Sequence, residues 1–180
     1  MGLLLSLFTL YVPPPIRKRK LEHLFTATAD AFQATRPSTR GLTFDECLKS
    51  YAQFTRDQAE SAIRQGNGAV VRPRLFENAY RIGRQLKADL RVDSTEVMRM
   101  GALVYRILGI DFEGEPGGNI VIRHCFFSTY YSSSVCRIIS SLDEGLLVGL
   151  AGGGRLSFSR RITEGNECCL AYLETDRKPE

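Results

Sequence analysis

The sequence predicts an α+β fold, with a helical N-terminal half packed on a small antiparallel sheet, a further helix and a C-terminal β-hairpin. Three observations carry this. Apolar residues recur at helical spacing through roughly the first 110 residues. The pattern then changes to the alternation of a strand from Asn119 onward. Near the end, two alternating stretches flank the turn Thr163-Glu164-Gly165-Asn166, which is the signature of a hairpin. The resulting organisation is an apolar arm over residues 1–15, a single domain over 16–174 and a polar, frayed tail over 175–180. Within the domain, 16–110 is the helical part and 111–174 the α+β part that holds the ligand pocket.

The first helix is expected from Ile16 to about Ala34, on the spacing of Leu21, Leu24, Phe25 and Phe32, with Pro37 as a stop. Thr43-x-x-Glu46 reads as a capping box. It opens a helix whose stripe runs through Phe44, Cys47, Leu48, Tyr51, Phe54, Ala59, Ala62 and Ile63 to the break at Gly66-Asn67-Gly68. Pro73 sits where a first-turn proline would start the next helix, with Leu75, Phe76, Ala79, Tyr80, Ile82, Leu86 and Leu90 inward. Asp93-x-x-Glu96 starts a fourth helix, which Gly109 closes.

Gly114 to Gly118 is a turn. Asn119 to Phe127 is a strand with Ile120, Ile122, His124 and Phe126 on one face. Ser132 to Leu142 is a short helix that the preceding hydroxyl cluster caps. Leu146 to Leu150 leads into Gly152-Gly153-Gly154, which permits a tight turn or a close approach of backbone to a ligand. The hairpin strands run from Arg155 to Ile162 and from Glu167 to Glu174.

The composition excludes several classes. Net charge is +4, and basic residues are scattered apart from Arg17-Lys18-Arg19-Lys20, so no nucleic-acid-binding face is expected. Five cysteines, an odd number that includes the pair Cys168-Cys169, argue for reduced thiols in a cytoplasm. Met1 to Val12 is too short to span a membrane and lacks the charge order and cleavage site of a secretory signal. Met1-Gly2-Leu3-Leu4-Leu5-Ser6 fits an N-myristoylation pattern, and residues 1–20 could make peripheral membrane contact. The favoured reading is an apolar arm packed on the domain or on a partner subunit, which leaves a homo-oligomer open.

Chemistry is sought between His124 and Cys169. The Gly149–Gly154 run lacks the ending of a phosphate loop, and no nucleophile elbow or Ser-His-Asp set is visible. His124, Cys125, Cys136, Cys168 and Cys169 are the soft ligands available, but no C-x-x-C occurs, and neighbours on a strand face opposite ways. No cofactor is therefore expected, with zinc as the alternative that one residue of each pair plus Cys136 would leave open. Asp143 follows Cys136 by almost two helical turns and shares its side, so it can act as a general base or simply end the helix. Arg160 and Arg161 alternate, so one of them can bind a carboxylate while the other is solvated.

The segments Cys136-Arg137-Ile138-Ile139-Ser140-Ser141-Leu142-Asp143, Gly149-Leu150-Ala151-Gly152 and Arg161-Ile162-Thr163-Glu164-Gly165-Asn166-Glu167-Cys168 resemble the C-terminal region of the L-2-amino-thiazoline-4-carboxylic acid hydrolase family. They are also similar to the 4-vinyl reductase small-molecule-binding domain. The likeness covers about the last 50 residues. It implies hydrolysis of a cyclic C=N bond in a small sulfur-containing amino acid. The matching positions are Cys136 and Asp143 in catalysis and Arg161, Thr163 and Cys168 in substrate binding, with His124 counted among the binding candidates. Thr163 stands where another cysteine would complete a zinc site, and Cys169-Leu170 replaces the usual aromatic. The competing expectation is a sensor or accessory module that binds a small molecule without turning it over.

Overall fold

The computed structural model describes residues 13–93 and 95–176. The apolar run from Met1 to Val12, with its myristoylation pattern, lies outside the described residues. Among the described residues, five α-helices and four strands follow in the order α1 (Pro14–Phe32), α2 (Phe44–Arg64), α3 (Gly68–Leu90), α4 (Val97–Ile107), β1 (Ile110–Gly114), β2 (Asn119–Cys125), α5 (Ser133–Ala151), β3 (Arg155–Arg160) and β4 (Cys169–Glu174). This is the α+β arrangement, helical first and then a small sheet with one helix and a terminal hairpin. No helix among the described residues is long and apolar enough to cross a membrane.

The capping box at Thr43 forms in full: its Oγ1 accepts from the Glu46 amide, and the Glu46 carboxylate accepts from the Thr43 amide at 2.7 Å. Two expected boundaries move. Helix α3 begins at Gly68, so Pro73 lies inside it rather than at its first turn. As the sixth residue of the helix the proline lies beyond the four amides that lack an intrahelical acceptor, so it gives up one helical hydrogen bond. The second change matters more. The helix expected to stop at Leu142 continues to Ala151 as α5. Gly145 and Gly149 do not break it. They are where α3 crosses it: a side chain at Gly145 would overlap the Phe76 carbonyl, one at Gly149 the Tyr80 carbonyl, and one at Gly83 the Leu146 carbonyl. Close backbone approach, not a ligand, explains Gly149. The turn comes later, at Gly152, Gly153 and Gly154, all with positive φ.

The sheet is antiparallel throughout, in the order β1-β2-β4-β3. Its inner face is apolar, with Ile110, Phe112, Ile120, Ile122, Leu156, Ala171 and Leu173 buried. Its outer face carries Asp111, Glu113, Arg123 and Tyr172, and Arg123 pairs with Glu113. Strand β1 is too short for its pattern to stand out, and it follows α4 directly through Gly109, whose φ is +70°.

Two bulges shape the sheet. Asp111 pairs with His124 and Phe112 with Ile122, so Arg123 is an extra residue in β2. Phe158 pairs with Ala171 and Arg160 with Leu170, so Ser159 is extra in β3. An inserted residue reverses the inside-outside phase beyond it. The uniform alternation expected from Asn119 to Phe127 is thereby corrected: after the bulge Cys125 turns inward, and His124 is exposed. By the same rule Arg160 is exposed, and Arg161 turns inward with only 15% of its side chain accessible.

Candidate functional site

A cavity of about 90 Å³ lies between α5, α4, the end of β2 and the Ile162–Glu164 turn of the hairpin. Its wall is largely apolar, which is the usual character of a small-molecule site. Among the polar and sulfur-bearing residues that line it are Asp143 and Cys136 of α5, Tyr105 of α4, Cys125 of β2, and Thr163 and Cys169 of the hairpin, with Tyr51, Ser128, Tyr131 and Ser140 beside them.

Asp143 stands deep in the protein, yet it retains part of its surface. That surface faces the cavity. Its Oδ1 accepts a hydrogen bond of 2.8 Å from the Tyr105 hydroxyl. Burial raises its carboxyl to about 6, against the opposing effects of Tyr105 and Arg161. A carboxyl group there changes protonation close to neutral pH, which is what a general base requires. Tyr105 lies stacked on Phe112 at 4.8 Å between ring centroids, and this fixes its ring behind Asp143. Burial and the neighbouring Asp143 hold its own hydroxyl protonated, so it serves as a donor.

The thiols are different. Burial raises Cys136, and likewise Cys169, while Cys125 is pushed up to about 12. At neutral pH all three are thiols, not thiolates, and so poor nucleophiles. Arg161 opposes the shift at Cys136 and Cys169 without overcoming it. The Thr163 hydroxyl also favours the Cys136 thiolate without overcoming burial. The Cys169 sulfur accepts instead from the Ile162 amide at 3.3 Å.

Arg161 lies behind this wall rather than in it. Its guanidinium rests on Phe158 at 4.7 Å from the ring centroid. It is 3.8 Å from Glu164, whose carboxylate Arg137 holds more closely at 2.9 Å. Arg161 Nε and Thr163 Oγ1 are both buried with no hydrogen-bond partner. Buried polar atoms are nearly always paired, so two such atoms on one short turn stand out.

Of the six expected site residues, the structure brings Cys136, Asp143 and Thr163 to one cavity and sets Arg161 just behind it. It does not place Cys168 or His124 there. Cys169 takes the inward position that was expected of Cys168, because β4 alternates regularly and Cys169 shares the phase of Ala171 and Leu173. His124 is turned to solvent by the bulge at Arg123. Tyr105 and Cys125 belong to the site without having been expected. Tyr105 gave no signal, being one apolar-face aromatic among many, and Cys125 would have required knowledge of the bulge. Among the described residues no three His, Cys, Asp or Glu side chains converge as metal ligands, so the zinc alternative finds no ligand set there.

Comparison with protein-family models, with curated proteins and with solved structures finds no match to this chain.

Proposed function

We propose that this chain is a hydrolase-type protein acting on a small cyclic C=N carboxylate of the 2-aminothiazoline-4-carboxylate kind. The observation that carries the reading is Asp143: a buried carboxyl, open to the cavity, held by a single tyrosine hydroxyl and titrating near neutrality. The resemblance of the Cys136–Asp143 and Arg161–Cys168 segments to the aminothiazoline carboxylate hydrolases supports it.

In this reading Asp143 takes a proton from water as the water oxygen bonds to the carbon of the C=N group. Asp143 passes that proton to the ring nitrogen as the C=N bond becomes single. The new hydroxyl then loses its proton to form C=O as the C–S bond breaks, and the sulfur leaves as a thiol carrying that proton, with one water consumed. Tyr105 holds the carboxylate oriented. Thr163, whose buried hydroxyl has no partner, meets the substrate's own carboxylate, and the Arg161 guanidinium behind the wall adds its positive charge. Cys136 shapes the wall and does not attack, since burial keeps it a thiol.

One observation favours a second reading. All three thiols of the cavity are protonated and its wall is mostly apolar, as suits a binding module of the 4-vinyl reductase type that performs no chemistry. Turnover of 2-aminothiazoline-4-carboxylate by the purified protein separates the two. The expected result is product formation that falls by roughly 10²–10⁴ in Asp143→Asn and changes only a few-fold in Cys136→Ala. Binding without product would favour the module. Full activity in Asp143→Asn would remove the assignment.

A further inference from the structure

A second cavity, about 230 Å³, lies among α1, α3 and α4. Leu86 and Leu90 of α3 and Met100, Val104 and Ile107 of α4 are part of its apolar wall. Its polar residues, Lys20, His23, Gln85 and Asp89, are all exposed and so mark its mouth. Gln85 and Asp89 satisfy one another there through a hydrogen bond of 2.6 Å. No polar side chain reaches its depth.

The two cavities are neighbours. Leu24, Leu108 and Leu146 line both, so a single layer of leucine side chains separates them. Such a layer is thin and adjustable, because leucine moves between staggered rotamers without backbone change. Elsewhere the core is closed: the α3–α5 crossing leaves no room even for a methyl group at Gly83, Gly145 or Gly149. Two adjoining cavities thus sit in a protein that packs its backbone closely a few residues away, against the rule that interiors hold few voids larger than water.

We propose that the ligand of the Asp143 cavity carries an apolar tail that passes Leu24, Leu108 and Leu146 and lies in the second cavity. The inference rests on the reading of the Asp143 cavity as the ligand site. Its physical basis is the division of chemistry between the two spaces. The buried acceptor and donor groups, Asp143, Tyr105 and Thr163, are all on the first side, so a head group belongs there. The second side offers only aliphatic and thioether surface at depth, which suits a hydrocarbon and nothing polar. An apolar cavity of about 150 Å³ accepts benzene, so the second cavity takes an alkyl chain or a ring of that size, whereas the first, at about 90 Å³, admits a five-membered ring only as Leu24, Leu108 or Leu146 changes rotamer. The substrate class is thereby narrowed to cyclic C=N carboxylates that bear an alkyl or aryl substituent.

The test uses 2-alkyl-thiazoline-4-carboxylates whose alkyl group is lengthened from methyl to octyl, with dissociation constants measured by calorimetry on the full chain. Each added methylene is expected to tighten binding about fourfold until the second cavity is filled, after which affinity levels off. Val104→Phe and Ile107→Phe, which occupy the second cavity and do not line the first, are expected to abolish the gain from long chains while leaving the methyl compound bound as before. Binding of the methyl compound with no dependence on chain length would overturn the tail site and leave the Asp143 reading standing. A dependence that both phenylalanine variants leave intact would place the tail elsewhere and overturn it too. Failure of every member to bind would remove the Asp143 reading and this inference with it.

Discussion

Replacing Asp143 with asparagine should stabilise the protein at neutral pH while it lowers the proposed turnover. The carboxyl is held at about 6 in the fold against an ordinary 3.8, chiefly by burial. Below about pH 4 the folded and unfolded chains are both protonated at this position, and Asp143 costs nothing. Between about pH 4 and about pH 6 the unfolded chain releases its proton and the folded chain keeps it, so stability falls as pH rises. Above about pH 6 both are ionised, and the full cost of a buried charge is present. With each tenfold change in proton affinity worth about 1.4 kcal/mol, the rise makes the ionised form cost about 3 kcal/mol. Water that reaches Asp143 through the cavity reduces this, so the effect should fall between about 1 and 3 kcal/mol. Asparagine keeps the shape and still accepts from the Tyr105 hydroxyl through its amide oxygen. Urea unfolding of both proteins from about pH 4 to about pH 8 gives the difference directly, and contributions from other titrating groups largely cancel in it. The variant should gain stability as pH rises and match the parent near pH 4. A variant less stable than the parent at neutral pH, or a difference that is flat across the range, would refute the reasoning.

Other consequences can be measured with the same tools. Gly145→Ala places a methyl group on the Phe76 carbonyl; separating two backbones outweighs the better helix propensity of alanine, and urea unfolding should show a loss of about 1–3 kcal/mol. Tyr105→Phe removes the hydrogen bond that holds the Asp143 carboxyl down, so the acid limb of the kcat/KM profile should move to higher pH; an unmoved limb would mean that another group is titrating. Thr43→Ala breaks the capping box of α2 and should cost about 1 kcal/mol in thermal or urea unfolding with no change in turnover.

The helices were legible because each carries a continuous apolar stripe and most have a punctuating signal, as at Thr43 and Gly109, whereas β1 was not. What could not be read was where glycine means contact. Gly145 and Gly149 look like helix ends in sequence, and only the presence of Phe76 and Tyr80 opposite shows them to be a crossing point. The site was half legible for a related reason. Cys136 and Asp143 could be placed on one side of a helix because helical period is regular. On the strands, a single inserted residue at Arg123 or Ser159 resets the phase, and nothing in the local pattern announces it. His124 was therefore expected inward when Cys125 is. Cys168 was assigned from family likeness where the alternation of β4 places Cys169 inside.

Those two bulges also say which mutations the cavity can survive. Its sulfur wall and the guanidinium behind it are set by residue count as much as by residue type: Cys125 and Arg161 face inward because each follows one supernumerary residue. Conservative exchange at Arg123 or Ser159, both exposed, leaves that count unchanged. Loss of either residue would exchange the inner and outer members of the pairs His124-Cys125 and Arg160-Arg161 with no other alteration to the sequence. In this chain the cavity is vulnerable to single-codon deletion at two exposed positions where substitution should be silent.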